Sequence, residues 1–218
     1  MTDWGGSRSG RPRMVAFFGD SITDAGHRLP DTSPLGEGYV RVIADALSSR
    51  PAAPEVVNLG IGGDRVRDLR ARWEEVQAAH PDLLTIFIGI NDVWRHFDSA
   101  QHTTPEAFSS DYRSIMDAAV ALDTPVILME PFLLPVRPDQ QQWLPELEEK
   151  IAIVNQLGTT YGAPVVHLHR ILTDAATDGI APSELAADGV HPSRLGHRLI
   201  AEAWLCDGLN RAGEKIGA

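Results

Sequence analysis

A serine comes three residues after the first apolar run of the chain. The run Met14–Phe18 stops at Gly19, and Asp20, Ser21 and Asp24 follow. A serine at the end of a buried strand presents its hydroxyl outside the sheet, as a nucleophile requires, although Asp-Ser alone is also common turn chemistry. Ser21 is therefore a candidate nucleophile, and we expect Asp20 and Asp24 to cap and brace its turn.

A carboxylate and an imidazole stand three residues apart in the stretch ADGVHPS near the C-terminus. Within one tight turn, Asp188 can hold one ring nitrogen of His191 while the other nitrogen faces a serine. The alternatives are a surface pair without a role and a metal site, which would need further ligands that the sequence does not assign.

Two further stretches offer donors for a negatively charged oxygen. NLGIGGD contains Gly62 and Gly63, whose N–H groups we expect at the N-terminus of a helix, and GINDVW contains the amide of Asn91. The plainer interpretations are a glycine-rich turn and an N-cap by Asn91 or Asp92.

The four stretches occupy equivalent places in the predicted fold. Three follow predicted strands and one precedes the last predicted helix, on the side where a doubly wound sheet binds its ligands. Together they supply a nucleophile, a base, a group that orients the base, and three oxyanion donors, which is the equipment for acyl transfer. The G-x-S-x-G elbow of α/β-hydrolases is absent from the sequence.

Alternating strands and helices are predicted to position these residues. Strands separated by helices predict parallel crossovers and a three-layer α/β/α sandwich around a five-stranded parallel sheet. The apolar runs that predict strands are Met14–Phe18, Val56–Leu59, Leu83–Ile88, Val126–Met129 and Val165–Leu168. Five helices are predicted between and after the strands. The first covers Tyr39–Leu47, and the second is capped by Asp64 and carries the apolar stripe Val66, Leu69, Trp73 and Val76. The third starts in the TTPE of residues 103–106, the fourth has an apolar stripe from Leu147 to Tyr161, and the last is capped by Ser193. The Pro-rich residues 131–145 are predicted to form a long loop at the carboxyl edge of the sheet.

The composition indicates one globular domain. Of 218 residues, 43% are hydrophobic and 22% are charged, which is enough to build a core. We predict a flexible tail over residues 1–13 and one catalytic domain over residues 14–218.

The net charge of −11 disfavours nucleic acid and membrane as partners. The single cysteine, Cys206, and the lack of a secretion signal or apolar span predict a cytoplasmic protein.

Four blocks of the chain resemble those of the SGNH (GDSL-type) hydrolases, in the same order: GDSIT (19–23), GIGGD (60–64), GIND (89–92) and DGVH (188–191). The resemblance implies a flavodoxin-like sheet with strand order 2-1-3-4-5. It implies Ser21 as the nucleophile, His191 as its base and Asp188 as the partner of the base. It also implies that the amides of Ser21 and Gly63 and the side chain of Asn91 form the oxyanion hole. The implied reaction is ester hydrolysis through an acyl-enzyme, with no metal and no cofactor.

Longer strings, among them GDSITDAGHR, IGINDVWRHFD and VHPSRLGHRLIAEAWL, are similar to the bacterial acetylxylan and acetyl-xylooligosaccharide esterases of this family. This resemblance implies an intracellular, often oligomeric enzyme that deacetylates imported oligosaccharides, so we expect an oligosaccharide ester as substrate and a homo-oligomer. Two positions depart from these esterases. Gly62-Gly63 stands where they commonly have Ser-Gly, and Ala187 stands where they often have a bulky aromatic, which would leave a wider pocket.

Other residues have a binding and a packing interpretation. Trp94 and Trp143 could stack on sugar rings but are typical of core packing, and Arg28 could bind sugar hydroxyls but is typical of a solvated surface. His167 and His169 are predicted on the fifth strand as structural histidines. Two alternative functions stay open: a lysophospholipase or thioesterase with the same machinery, and a non-catalytic carbohydrate-binding protein.

Overall fold

A computed structural model describes residues 13–49, 53–210 and 212. The predicted tail over residues 1–13 lies outside the described residues except for Arg13, and the domain boundaries stay predictions. No helix in the described ranges combines the length and apolarity that a membrane crossing needs.

The described residues form one parallel sheet of five strands, in the spatial order β2-β1-β3-β4-β5. The strands are β1 Met14–Gly19, β2 Glu55–Gly60, β3 Leu83–Phe87, β4 Val126–Met129 and β5 Val165–Val166. This confirms the predicted sheet and strand order.

Helices cover both faces of the sheet. They are α1 Ser21–Asp24, α2 Tyr39–Ser48, α3 Val66–Ala71, α4 Glu74–Ala79, α5 Ile90–Ser99, α6 Pro105–Ala121, α7 Leu144–Tyr161, α8 Leu168–Thr177, α9 Pro182–Leu185 and α10 Arg194–Ala203. A 3₁₀ helix, Pro138–Trp143, precedes α7, and a π-helical turn, Trp204–Gly208, follows α10.

The side chains of each strand alternate between two cores. In β1, Val15 and Phe17 belong to a cluster with α2, α8 and α10, whereas Ala16 and Phe18 belong to a cluster with α3, α6 and α7. All four are fully buried, which explains why the strand is apolar throughout instead of alternating. The three-layer sandwich is thus confirmed.

Two predicted helix details are wrong. Asp64 does not cap the second helix, because its carboxylate accepts a hydrogen bond from Arg72 at 2.7 Å. Arg65 is the N-cap residue, and the N–H of Val66 donates to Asp92 at 3.0 Å instead. The predicted single helix is also two, α3 and α4, which are interrupted around Arg72 and Trp73.

Two further boundaries differ from the prediction. The fifth strand stops at Val166, so His167 is the N-cap residue of α8 and His169 lies inside that helix. The predicted loop 131–145 is irregular only up to Arg137, after which the 3₁₀ helix and the start of α7 follow. Its proline at position 138 starts the 3₁₀ helix, where a missing N–H costs nothing.

Candidate active site

Ser21 lies just beyond the carboxyl end of β1, two residues after Gly19, the last residue of the strand. A Cβ on Gly19 would come within 2.4 Å of the carbonyl oxygen of Phe87, so only glycine permits this approach of β1 to β3. The carboxylate of Asp20 accepts a hydrogen bond from the N–H of Ile22 at 3.0 Å and caps α1. The serine is therefore fixed by the strand on one side and by the cap on the other.

Ser21, His191 and Asp188 form a continuous hydrogen-bonded chain. Ser21 Oγ lies 3.0 Å from His191 Nε2, and His191 Nδ1 lies 2.6 Å from Asp188 Oδ2. Residues from opposite ends of the sequence thus meet with the geometry in which a serine, a base and a carboxylate cooperate in acyl transfer.

The turn that carries His191 is organised around the carboxylate of Asp188. Its Oδ1 accepts hydrogen bonds from the N–H groups of Val190 at 2.9 Å and His191 at 2.7 Å. Burial by itself would raise the pKa of Asp188, but the hydrogen bonds from His191 and Val190 outweigh burial and lower the pKa below its usual value. The carboxylate is therefore ionised and holds the proton-bearing Nδ1 of the imidazole.

The glycine block lies beside Ser21. A Cβ on Gly62 would be 3.8 Å from the Cβ of Ser21, and Gly63 has a φ of +87° with open space around it. A positive φ is readily adopted by glycine, and both glycines are exposed. Among the described residues, no acceptor takes the N–H of Ser21 or of Gly63, so both amides are free to bind an oxyanion.

Asn91 is held next to the glycine block. It is only 3% exposed, and its Nδ2 donates to the carbonyl oxygen of Asp64 at 3.0 Å. An amide nitrogen carries two hydrogens, so one remains for a ligand. Gly89 is the N-cap residue of α5, so neither Asn91 nor Asp92 caps this helix.

Gln140 is a site residue that the sequence analysis missed. Its side chain is 1% exposed, its Nε2 donates to the carbonyl oxygen of Asp188 at 2.7 Å, and its Oε1 accepts from the N–H groups of Val136 and Arg137. The N–H of Leu134 donates to the carbonyl oxygen of Gly189 at 2.9 Å. The segment after β4 thereby fastens the turn of Asp188, and a glutamine in a polar stretch gives no sequence signal for this burial.

The predicted substrate residues differ in their accessibility. Trp94 is partly buried, and its ring lies 5.8 Å from that of His191, so it borders the site. Trp143 is only 3% exposed and stacks on Phe97, which supports the packing interpretation over a sugar contact. Arg28 is exposed, and its Nε donates to the carbonyl oxygen of Gly60 at 3.3 Å, close to the glycine block.

Two buried carboxyl groups, those of Asp20 and Asp92, lie next in sequence to the candidate site residues Ser21 and Asn91. Burial raises the pKa of Asp20 and of Asp92 to about 7 each. Both accept hydrogen bonds from helix-starting N–H groups, of Ile22 and Val66 respectively. Asp20 thereby caps the helix that begins with Ser21, and Asp92, the neighbour of Asn91 on α5, holds the start of α3.

An apolar groove of about 350 Å³ lies apart from the triad. Its lining includes Leu133, Leu144, His169 and Ala176, and none of the three triad residues. The structure thus does not place this groove at Ser21.

The chain matches the GDSL-like lipase/acylhydrolase family over residues 17–199 and belongs to that family. By this membership it is a carboxylic ester hydrolase. It is 35% identical over 209 residues to an acetylxylan esterase of Geobacillus stearothermophilus, with 90% of this chain and 94% of the relative covered.

Solved structures give the same result. The crystal structure of an acetylxylan esterase from Geobacillus stearothermophilus is 34% identical and superposes with a TM-score of 0.82 over 94% of this chain and 96% of that one. An α/β hydrolase from the metagenome of Lake Arreo, Spain, is 27% identical, with a TM-score of 0.80 over 100% of both chains. In catalytic mutants of the Geobacillus enzyme, a serine, a histidine and an aspartate are each replaced by alanine.

Proposed function

We propose that this esterase removes acetyl groups from xylo-oligosaccharides or related sugars by a Ser21-His191-Asp188 triad. The hydroxyl of Ser21 attacks the ester carbonyl and gives its proton to Nε2 of His191. The developing oxyanion is bound by the amides of Ser21 and Gly63 and by Asn91. His191 then protonates the leaving sugar hydroxyl, and a water molecule activated by His191 hydrolyses the acetyl-enzyme.

The observation that carries this proposal is the unbroken chain of hydrogen bonds from Asp188 through His191 to Ser21, at 2.6 and 3.0 Å. Further support comes from the catalytic mutants of the Geobacillus relative, which change the same three residue types.

The acetyl-sugar substrate is supported by the 35% identity to an acetylxylan esterase and by the half-buried Trp94 next to His191. An indole beside the base offers a flat apolar face to a sugar ring. The exposed Arg28 near Gly60 offers donors to sugar hydroxyls. We also propose that the enzyme acts in the cytoplasm and that it forms a homo-oligomer. Size-exclusion chromatography with light scattering would test the homo-oligomer by its molar mass.

Acyl-chain preference tests the substrate proposal. If the acyl pocket just holds a methyl group, each added methylene costs about 1–3 kcal/mol of overpacking. The expected kcat/KM for the acetate of one phenol then exceeds that for the butyrate by about tenfold or more, with the octanoate nearly inert, and acetylated xylobiose releases acetate. A maximum at octanoate would contradict the proposal and favour the lysophospholipase or thioesterase alternative.

A further inference from the structure

A group of two histidines and one glutamate lies outside the proposed catalytic residues. His96 belongs to α5, His102 to the segment between α5 and α6, and Glu146 to the first turn of α7. Each offers one ligand atom, and these atoms lie within 4.8 Å of one another. Within the part of the chain that the structure describes, no other group of three His, Cys, Asp or Glu residues has this spacing.

The contacts inside the group converge on the carboxylate. Nδ1 of His96 lies 2.8 Å from Oε2 of Glu146, and Nε2 of His102 lies 3.7 Å from Oε1. The centroids of the two imidazole rings are 4.5 Å apart. Three residues from three separate segments thus point their ligand atoms at one small volume.

Oε1 of Glu146 is the unexplained atom of the group. It is shielded from solvent and has no hydrogen-bond partner among the described residues. A buried acceptor of this kind requires a compensating partner. The nearest cation, the buried Lys150, is 3.9 Å away and donates instead to the carbonyl oxygen of Thr103 at 2.8 Å, so it leaves Oε1 without a hydrogen bond.

We propose that His96, His102 and Glu146 bind a divalent transition-metal ion of the zinc type. Two neutral imidazoles and a carboxylate are a common donor set for Zn²⁺, with water completing a tetrahedron. Binding requires the three ligand atoms to settle at about 3.3 Å from one another, as bonds of about 2.0–2.1 Å dictate. The side chains of His96 and His102 are 43% and 42% exposed, so their rings have room to rotate until these distances are reached. In this rotation Nδ1 of His96 exchanges its hydrogen bond to Glu146 for a bond to the metal.

The ion would connect elements that position the active site without touching the substrate. It joins α5, whose first turn holds Asn91, to α7, which directly follows the 3₁₀ helix with Gln140. Bound metal stabilises the folded state to which it binds. The expected effect is therefore a higher melting temperature, independent of the ester-hydrolysis chemistry.

The test is calorimetric titration of ZnCl₂ into the full chain, free of any polyhistidine tag and stripped of metal with EDTA. We expect one saturable zinc ion per chain and a rise in melting temperature. The substitutions His96→Asn, His102→Asn and Glu146→Gln should each lower the affinity by at least about tenfold. Circular dichroism checks that each variant is folded, and the nearly isosteric Glu146→Gln variant decides the test if a histidine variant fails to fold.

Two controls separate this group from other histidines. His80→Asn changes an exposed histidine elsewhere on the surface, and His191→Asn removes the imidazole of the triad. Both should keep the wild-type zinc affinity. Absence of saturable binding, or binding that survives in the three group variants and is lost in His191→Asn, would overturn the proposal.

Discussion

Ser21 has an ordinary alcohol hydroxyl, so its reactivity depends on the groups around it. In the proposed reaction, His191 at 3.0 Å accepts its proton, and the bond of 2.6 Å from Asp188 to Nδ1 leaves Nε2 as the acceptor. The lowered pKa of Asp188, where hydrogen bonds outweigh burial, keeps its charge available for the imidazolium that forms during the proposed reaction. The proposed mechanism therefore uses the three side chains as one unit.

Asn91 has two amide hydrogens with different partners. One is bound by the carbonyl oxygen of Asp64, and the other is left for the proposed oxyanion. Asn91→Ala should lower kcat by about 10²–10³ with KM little changed, since the contact forms only in the transition state. The kinetics of Asn91→Ala and of Asn210→Ala, which removes an exposed asparagine elsewhere, are compared on one aryl acetate. A raised KM at unchanged kcat would mean that Asn91 only binds substrate.

The segment between β4 and α7 fixes the orientation of the Asp188 turn. Gln140→Leu removes the hydrogen bond to the carbonyl oxygen of Asp188 and leaves two N–H groups unpaired. We expect kcat to fall by about 10- to 100-fold through misplacement of the base, while KM changes little. Gln142→Leu, at an exposed position of the same 3₁₀ helix, is the matched control. Equal kinetics of the two variants would refute the positioning role of Gln140.

A half-buried histidine, His197, joins α10 to α2. Nδ1 of His197 accepts a hydrogen bond from the N–H of Tyr39 at 3.1 Å, and burial, aided by the charge of His191, lowers the pKa of His197 to about 4. Between pH 6.5 and about 4 the unfolded chain therefore binds a proton that the folded chain does not. The stability that the neutral ring provides is full above this window and is lost as the pH falls through it.

Comparison with His197→Asn tests this linkage, because asparagine keeps an acceptor for Tyr39 but does not titrate. The difference in unfolding free energy between wild type and variant should shrink by up to about 3 kcal/mol from pH 7 to pH 4.5. Urea unfolding at several pH values gives this difference and cancels the contributions of Asp20 and Asp92, which both proteins share. A difference that is constant with pH would contradict the low pKa of His197.

Local patterns predicted the elements well where one physical rule decides. The cap at Ser193 accepts hydrogen bonds from Leu195 and Gly196, and Thr104, inside the predicted TTPE start, caps α6. The patterns failed where a residue distant along the helix competes for the same side chain. Asp64, the predicted cap, binds Arg72 instead of the N-terminal N–H groups of the helix. The early end of β5 was also not predictable, because its apolar residues serve equally well at the start of α8.

At the scale of the whole molecule, the sheet brings together residues from four distant stretches. Gly62 adjoins Ser21, Asp64 binds Asn91, and His191 reaches Ser21 across 170 positions of sequence. That these stretches meet could be predicted from the sequence because parallel strands end at one edge, whereas the roles of the triad and of the oxyanion donors stay predictions. The role of Gln140 could not, since a side chain that binds backbone groups far along the chain has no local pattern.

Covalent trapping is the sharpest test of Ser21 as the nucleophile. A fluorophosphonate should add one phosphonyl group per intact wild-type chain by mass spectrometry, and peptide mapping should place it on Ser21. The Ser21→Ala variant should be folded and unlabelled, with esterase activity lowered by about five to six orders of magnitude, because triad members act as one unit. Labelling that persists in the variant, or activity within about tenfold of wild type, would contradict Ser21 as the nucleophile.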